Sequence, residues 1–345
     1  MTTGEYQKKT YPSMILEVNH TFKKALCTQR AFFYGLCLVL FGACSSQETG
    51  DGKISFSGLA QGTSYHISYY GENNASNLQK GVDSILFRMD MALSNYRPNS
   101  QISMLNASKD TVVFLTDSCG FWDRVWEVST EVYHKSDGAF DPSIYPLVKA
   151  YGFGPNQKPS MANEKQLDSL KSLVGLSAWN LRHESIQELK ITKPVNGQLD
   201  FNAVAQGLAV DMIAEYLESF NVASYFVELG GEVRVGAAKP DGSLWVLGIE
   251  LPENKTERKL SSSIEITKVS VATSGSNRKY YEENGKRYSH AIDAKTGLPV
   301  SHEILSVTLK HASCAYADAW ATAALVRGKA LEDVLKKEGI WFQFQ

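Results

Sequence analysis

The chain has 345 residues, 43% of them hydrophobic, with 35 Lys and Arg against 37 Asp and Glu and a formal net charge of −2. That length can bury a sizeable core, and the near-neutral balance lacks the basic excess that a polyanion demands, which sets nucleic acid aside as a partner. The cysteines are scattered singly and the histidines show no HxxxH or CxxC spacing, so neither a disulfide framework nor a zinc or haem site is expected.

The first forty-odd residues differ in kind from the rest. Lys23, Lys24 and Arg30 precede an apolar run over residues 31–41, which ends at Gly42-Ala43-Cys44. The run is too short to span a bilayer and has the flanks of an export signal. A Cys directly after Gly-Ala matches the lipidation site of bacterial lipoprotein signals, although Phe41 stands where Leu is usual. The expectation is therefore an N-terminal extension plus lipoprotein-type signal over 1–44, a polar tether over 45–53, and one folded domain over 54–345. It places the protein on the periplasmic side of a bacterial membrane, lipid-anchored at Cys44.

Residues 54–60 and 63–70 alternate like strands about Gln61-Gly62, and 78–93 carries Val82, Ile85, Leu86, Met89 and Leu93 on one helical face. A polar loop over 94–106 holds one aromatic, Tyr96, which suits either stacking on a flat ligand or covering a core edge. Residues 112–115 read as a strand, followed by a helix capped by Thr116 or Asp117 with Trp122, Val125, Trp126, Val132 and Tyr133 inward. The segment 139–148 is a Pro-punctuated loop with one carboxylate, Asp141, and 156–184 reads as polar loop and short helix. After a strand at 189–192 and a turn at Asn196-Gly197, a helix is expected over 203–220. The small residues Ala203, Ala205, Gly207 and Ala209 at its start fit either a phosphate at the helix N-terminus or close helix–sheet packing. Strands at 224–229, 232–238, 244–251 and 262–272 follow. No internal repeat or linker appears, which gives a single mature domain of mixed α+β class.

The stretch 288–327 concentrates the chemistry. An alternating strand over 288–292, a turn at Asp293 to Pro299 and a strand over 304–309 lead into a small-residue helix over 315–326. On that helix Asp318 and Thr322 stand at i and i+4, hence on one face. Two hard oxygen donors one turn apart can share a magnesium ion, while an Asp near the positive end of a helix and a Thr in the core need no metal, so the spacing leaves both readings open.

The order of the motifs is more specific than any one of them. Gln61-Gly62-Thr63, Ser94-Asn95-Tyr96 with Ser100-Gln101-Ile102 and Asn106, Gly138-Ala139-Phe140-Asp141-Pro142, Asp200-Phe201-Asn202-Ala203 with Gln206-Gly207 and Asp211, Leu229-Gly230-Gly231, Thr273-Ser274-Gly275, Ser289-His290-Ala291-Ile292-Asp293 with Thr296-Gly297-Leu298-Pro299, and Ala317-Asp318 with Thr322 follow one another along the chain. In this series the chain resembles the ApbE family, the FAD:protein FMN transferases, over residues 54–328. The resemblance implies a T-fold-related domain with a largely antiparallel sheet and packed helices. It implies magnesium held by the Ala203 backbone oxygen, the Asp318 carboxylate and the Thr322 hydroxyl. FAD contacts fall on Gln61, Tyr96, Ala139, Phe140, Asp141, Asp200, Gln206 and Ile292. Gln61 and Gln206 stand where the family often has Met and Lys, so the site has one point charge fewer for the FAD diphosphate. The implied reaction moves FMN from FAD to a Thr or Ser hydroxyl of an acceptor flavoprotein subunit of a membrane redox complex, releasing AMP, with Asp318 or His290 as base. A magnesium-dependent FAD pyrophosphatase and a flavin-delivering lipoprotein are the alternatives.

Overall fold

Eight strands pair antiparallel throughout, and their order across the sheet is their order along the chain: Gln47–Glu48, Lys53–Ala60, Thr63–Tyr70, Ser224–Leu229, Glu232–Val235, Val269–Gly275, Ser306–His311 and Trp341–Phe344. The computed structural model describes residues 47–48, 52–155, 157, 162–251, 260–276, 280–283 and 286–345. All of them belong to one compact unit, 44–345. The expected signal and Cys44 anchor, and most of the tether, lie outside the described residues.

Local chemistry explains the elements that hold the site. The first hairpin turns on Gln61 and Gly62, both at positive φ (51° and 76°), the backbone that a two-residue turn between twisted strands requires. The inserted chain between Tyr70 and Ser224 supplies helices Ala75–Leu93 and Phe121–Lys135 and a three-stranded sheet of Val112–Thr116, Glu188–Thr192 and Asn180–His183. Helices Asn202–Ser219 and Cys314–Arg327 are apolar on nearly every side, as expected of helices enclosed by other elements. They pack on each other and on the large sheet, in one continuous core with Tyr65, Val227 and Leu309.

Several boundaries differ from expectation. Residues 94–106 are not all loop: Gln101–Ala107 is a helix, capped by the Ser100 hydroxyl on the Ser103 amide at 3.1 Å. The helix after Val112–Thr116 begins only at Phe121, behind a left-handed Gly120, yet Asp117 still caps it by accepting from the Phe121 and Asp123 amides at 2.8 and 3.1 Å. The Pro-punctuated loop contains a 3-10 turn, Pro142–Ile144, and a short helix, Tyr145–Ala150. The expected strand over 262–272 is two, Leu260–Ile266 and Val269–Gly275, because Lys268 takes a positive φ of 48° and the chain bends there. The strand expected over 288–292 is broken as well: Lys286–Ser289 ends before His290, which sits in a bend, and Ile292–Asp293 pairs separately with Leu298–Pro299.

Candidate active site between two buried helices

Gly207 is where the two core helices touch. A Cβ added there would lie 2.4 Å from the Cys314 carbonyl oxygen and 2.8 Å from Asp318 Cβ, so only a glycine permits the approach. The close contact lets the Gly207 amide donate to Asp318 Oδ2 at 3.1 Å. In a regular α-helix that amide would be directed at the Ala203 carbonyl, and Ala203 itself departs from helical geometry (φ −90°, ψ 17°). The departure at Ala203 kinks the first turn of the helix, on which the Ala203 carbonyl lies. One helical turn beyond Asp318, Thr322 Oγ1 shares a 3.0 Å hydrogen bond with Ser274 Oγ, on the last turn-ward residues of the Val269–Gly275 strand.

Asp318 is buried, and burial pushes its carboxyl up to about 7, against a partial lowering by the Gly207 N–H. A desolvated carboxylate whose resolved stabilising partner is one amide suits a cation. Among the described residues no three His, Cys, Asp or Glu side chains gather as a metal cluster. The ligands that the resemblance implies, one carboxylate, one hydroxyl and one backbone carbonyl, are of a different kind, hard oxygens of the type that magnesium prefers.

A second cluster surrounds Tyr96. Asn106 pairs with the backbone of Leu199 in both directions, accepting from its amide at 2.7 Å and donating to its carbonyl at 2.8 Å, and it also donates to Asn95 Oδ1 at 2.9 Å. Asn95 donates to the same Leu199 carbonyl at 3.2 Å. These bonds tie the Ser94–Tyr96 turn to the segment entering Asp200. Tyr96 is 56% exposed, with its hydroxyl pKa raised by partial burial and by the Asp200 charge. Tyr145 feels the same charge and is pushed up to about 12, chiefly by burial. Its place beside Tyr96 and Asp200 had no signature in the sequence.

The remaining implied contacts are spread around these two clusters. Ala139, Phe140 and Asp141 are buried, and Asp141 is turned inward, its Oδ1 accepting from the Ser143 amide and hydroxyl at 2.8 and 2.6 Å while burial raises its pKa. Asp200 donates its own amide to the Pro142 carbonyl at 2.7 Å, which joins this loop to the Tyr96 cluster. Gln206 and Thr63 both lie against the Gly230 turn, and Gln61 Nε2 reaches Met89 Sδ at 3.5 Å. Ile292 is buried, in the hairpin closed by the Gly297 amide on the Asp293 carbonyl at 2.8 Å. His290 is half-buried with its ring edge-on to Phe153 at 6.3 Å. Sequence spacing found Asp318 and Thr322. It did not assign Ser274, the Gly207 amide, Asn95 or Asn106 a part, because each acts across elements far apart in the chain.

The ApbE family profile matches residues 61–340. A FAD:protein FMN transferase of Vibrio cholerae is 31% identical over 297 residues, 85% of this chain and 86% of its own. Its Escherichia coli counterpart is 30% identical over 287 residues, 82% of this chain and 81% of its own. Among solved structures, the apo Pseudomonas stutzeri flavinyl transferase ApbE superposes with a TM-score of 0.75 at 30% identity, covering 84% of this chain and 90% of that one. The Vibrio cholerae flavin transferase ApbE gives 0.74 at 29% identity, with 85% and 93% covered.

Proposed function

The chain belongs to the ApbE family, and from that membership we propose that it transfers FMN from FAD to a Ser or Thr hydroxyl of an acceptor protein, with AMP as the other product and magnesium as the metal. The observation that carries the metal assignment is Asp318, a buried carboxylate that accepts the Gly207 amide at 3.1 Å and lies one turn from Thr322. Ala203, through its carbonyl, Asp318 and Thr322 would hold the ion, which when bound neutralises charge gathering on the FAD diphosphate.

The chain's own residues do the rest. Tyr96 offers an exposed ring face to the flavin, on a turn that Asn95 and Asn106 keep from shifting. Asp200, Gln61, Gln206, the Ala139–Asp141 loop and the Ile292 backbone line the rest of the flavin nucleotide. The acceptor hydroxyl oxygen forms a bond to the phosphorus on the FMN side, the bond from that phosphorus to AMP breaks, and the hydroxyl proton passes to a base. Asp318, where it is not fully committed to the ion, is the first candidate for that base and His290 the second.

The export signal and the Gly42-Ala43-Cys44 sequence support a lipid anchor at Cys44 and an acceptor flavoprotein subunit on the same, periplasmic face of a membrane redox complex. Among the described residues no helix is long and apolar enough to cross a membrane.

The test is mass spectrometry of a candidate acceptor peptide after incubation with FAD and magnesium, with AMP measured in parallel. Transfer gives a peptide heavier by one FMN in step with AMP. AMP without modified peptide would make the protein a pyrophosphatase, and the absence of both would leave flavin delivery.

A further inference from the structure

Ala203, Gly207 and Asp211 follow at i, i+4 and i+8 and therefore share one face of the Asn202–Ser219 helix. Ala203 and Gly207 have roles in the site proposed above, and Asp211 has none. It is nonetheless fully buried, at 0% exposure. Its carboxylate accepts four hydrogen bonds, at Oδ1 from Arg234 Nη1 (2.8 Å) and the Cys314 amide (2.9 Å), and at Oδ2 from the Ser313 hydroxyl (2.6 Å) and the Ala315 amide (3.0 Å). Two of these donors are first-turn amides of the Cys314–Arg327 helix, which have no partner within their own helix.

A helix can be capped locally, and this one is: Ser313 Oγ accepts from the Tyr316 amide. A second, charged cap delivered from another helix does something a local cap cannot, because it fixes one helix along the axis of the other. Asp211 lies one turn beyond Gly207 in its helix, and Cys314 and Ala315 lie about one turn before Asp318 in theirs. The Asp211 contacts and the Gly207–Asp318 contact are thus successive rungs between the same two helices. Arg234, on the strand Glu232–Val235, sets its guanidinium against the buried carboxylate as a charged partner.

We propose that Asp211 is a positioning residue for the metal-binding oxygens: by clamping the first turn of the Cys314–Arg327 helix to the Asn202–Ser219 helix, it sets the register that presents Asp318 and Thr322 opposite the Ala203 carbonyl. This rests on the metal assignment made above. It differs from a merely structural role, which would lower stability and leave metal affinity alone.

The experiment measures Mn²⁺ binding to the folded protein at saturating FAD and without acceptor, by the electron paramagnetic resonance signal of free Mn²⁺, alongside thermal melting. Asp211→Asn keeps size and one acceptor oxygen but replaces the other with an amide that cannot accept from Ser313 or Ala315. It is expected to melt cooperatively and to bind Mn²⁺ at least about tenfold more weakly, the effect of disturbing groups that orient metal ligands. Ser313→Ala removes one of the four donors and should weaken binding in the same direction by a smaller factor. Val271→Ala, in the separate cluster with Trp245 and Ile266, serves as a destabilised control whose Mn²⁺ affinity should match wild type. Wild-type affinity in Asp211→Asn overturns the proposal, as does wild-type affinity in Ser313→Ala should the first variant fail to fold. An equal loss in Val271→Ala also overturns it, since the effect would then be general. Asp318→Ala distinguishes the two levels: if it binds Mn²⁺ like wild type, the metal assignment itself falls.

Discussion

Asp318→Asn probes the site through stability alone, with no turnover. Burial lifts the Asp318 carboxyl from the usual 3.8 to about 7. In the unfolded chain the group ionises near its usual value, so between those two pH values the folded state holds a proton that the unfolded state has released. Stability must then fall as pH rises: the contribution is fully present below about pH 3.8 and is lost by the time pH passes about 7. The interval from 3.8 to about 7 is roughly three pH units, and at about 1.4 kcal/mol each the cost of ionising the buried group is on the order of 4 kcal/mol. Asn keeps the shape, can accept the Gly207 amide through Oδ1, and has no proton to lose.

In magnesium-free buffer with chelator, the stability of Asp318→Asn relative to wild type should therefore grow from near zero at acid pH to on the order of 4 kcal/mol at pH 8. At roughly 2 °C per kcal/mol for a domain of this size, that is about 8 °C in Tm. Taking the difference between variant and wild type cancels the other titrating groups, Asp141 among them. Magnesium added to the FAD-saturated proteins should then raise the wild-type Tm at pH 8 further by mass action and leave the variant's almost unchanged. The assay is calorimetric melting from about pH 3 to 8, without ligands, with FAD alone and with FAD and magnesium. Parallel Tm–pH curves for the two proteins would refute the argument, because they would mean that Asp318 ionises in the fold as it does in water.

Tyr96→Ala should weaken FAD binding by about 1–3 kcal/mol, roughly 5- to 150-fold, if the exposed ring stacks on the flavin as aromatic side chains stack on bases. A calorimetric isotherm that matches wild type would return Tyr96 to the role of a loop aromatic. Cys44→Ala should release the full-length protein from membranes with FAD affinity intact, and a variant that still sediments with the membrane fraction would remove the lipid-anchor assignment.

What could be read from the chain depended on whether the deciding contact was local. Alternation placed both strands about the Gln61-Gly62 pair from neighbours in sequence and left a bend or a hairpin there, and the structure has the hairpin. The Gln101–Ala107 helix has a local cap in Ser100 but was hidden in a polar loop because its other supports are distant: Gln101 Oε1 accepts from Trp122 at 2.7 Å, and Asn106 is spent on Leu199. The single long strand expected over 262–272 failed at Lys268, whose left-handed φ carries no side-chain signature. In the site, the i,i+4 spacing named Asp318 and Thr322 but not what each would face. The small residues at 203–209 left a choice between an anion at the helix N-terminus and close packing. At Gly207 the structure decides for packing, since Cys314 and Asp318 occupy the space that a side chain would need. Yet the same approach delivers the Gly207 amide to Asp318. The alternatives were therefore not rivals at that position: the close contact between helices is the means by which the carboxylate is buried, and a buried carboxylate keeps its proton unless a cation compensates its charge.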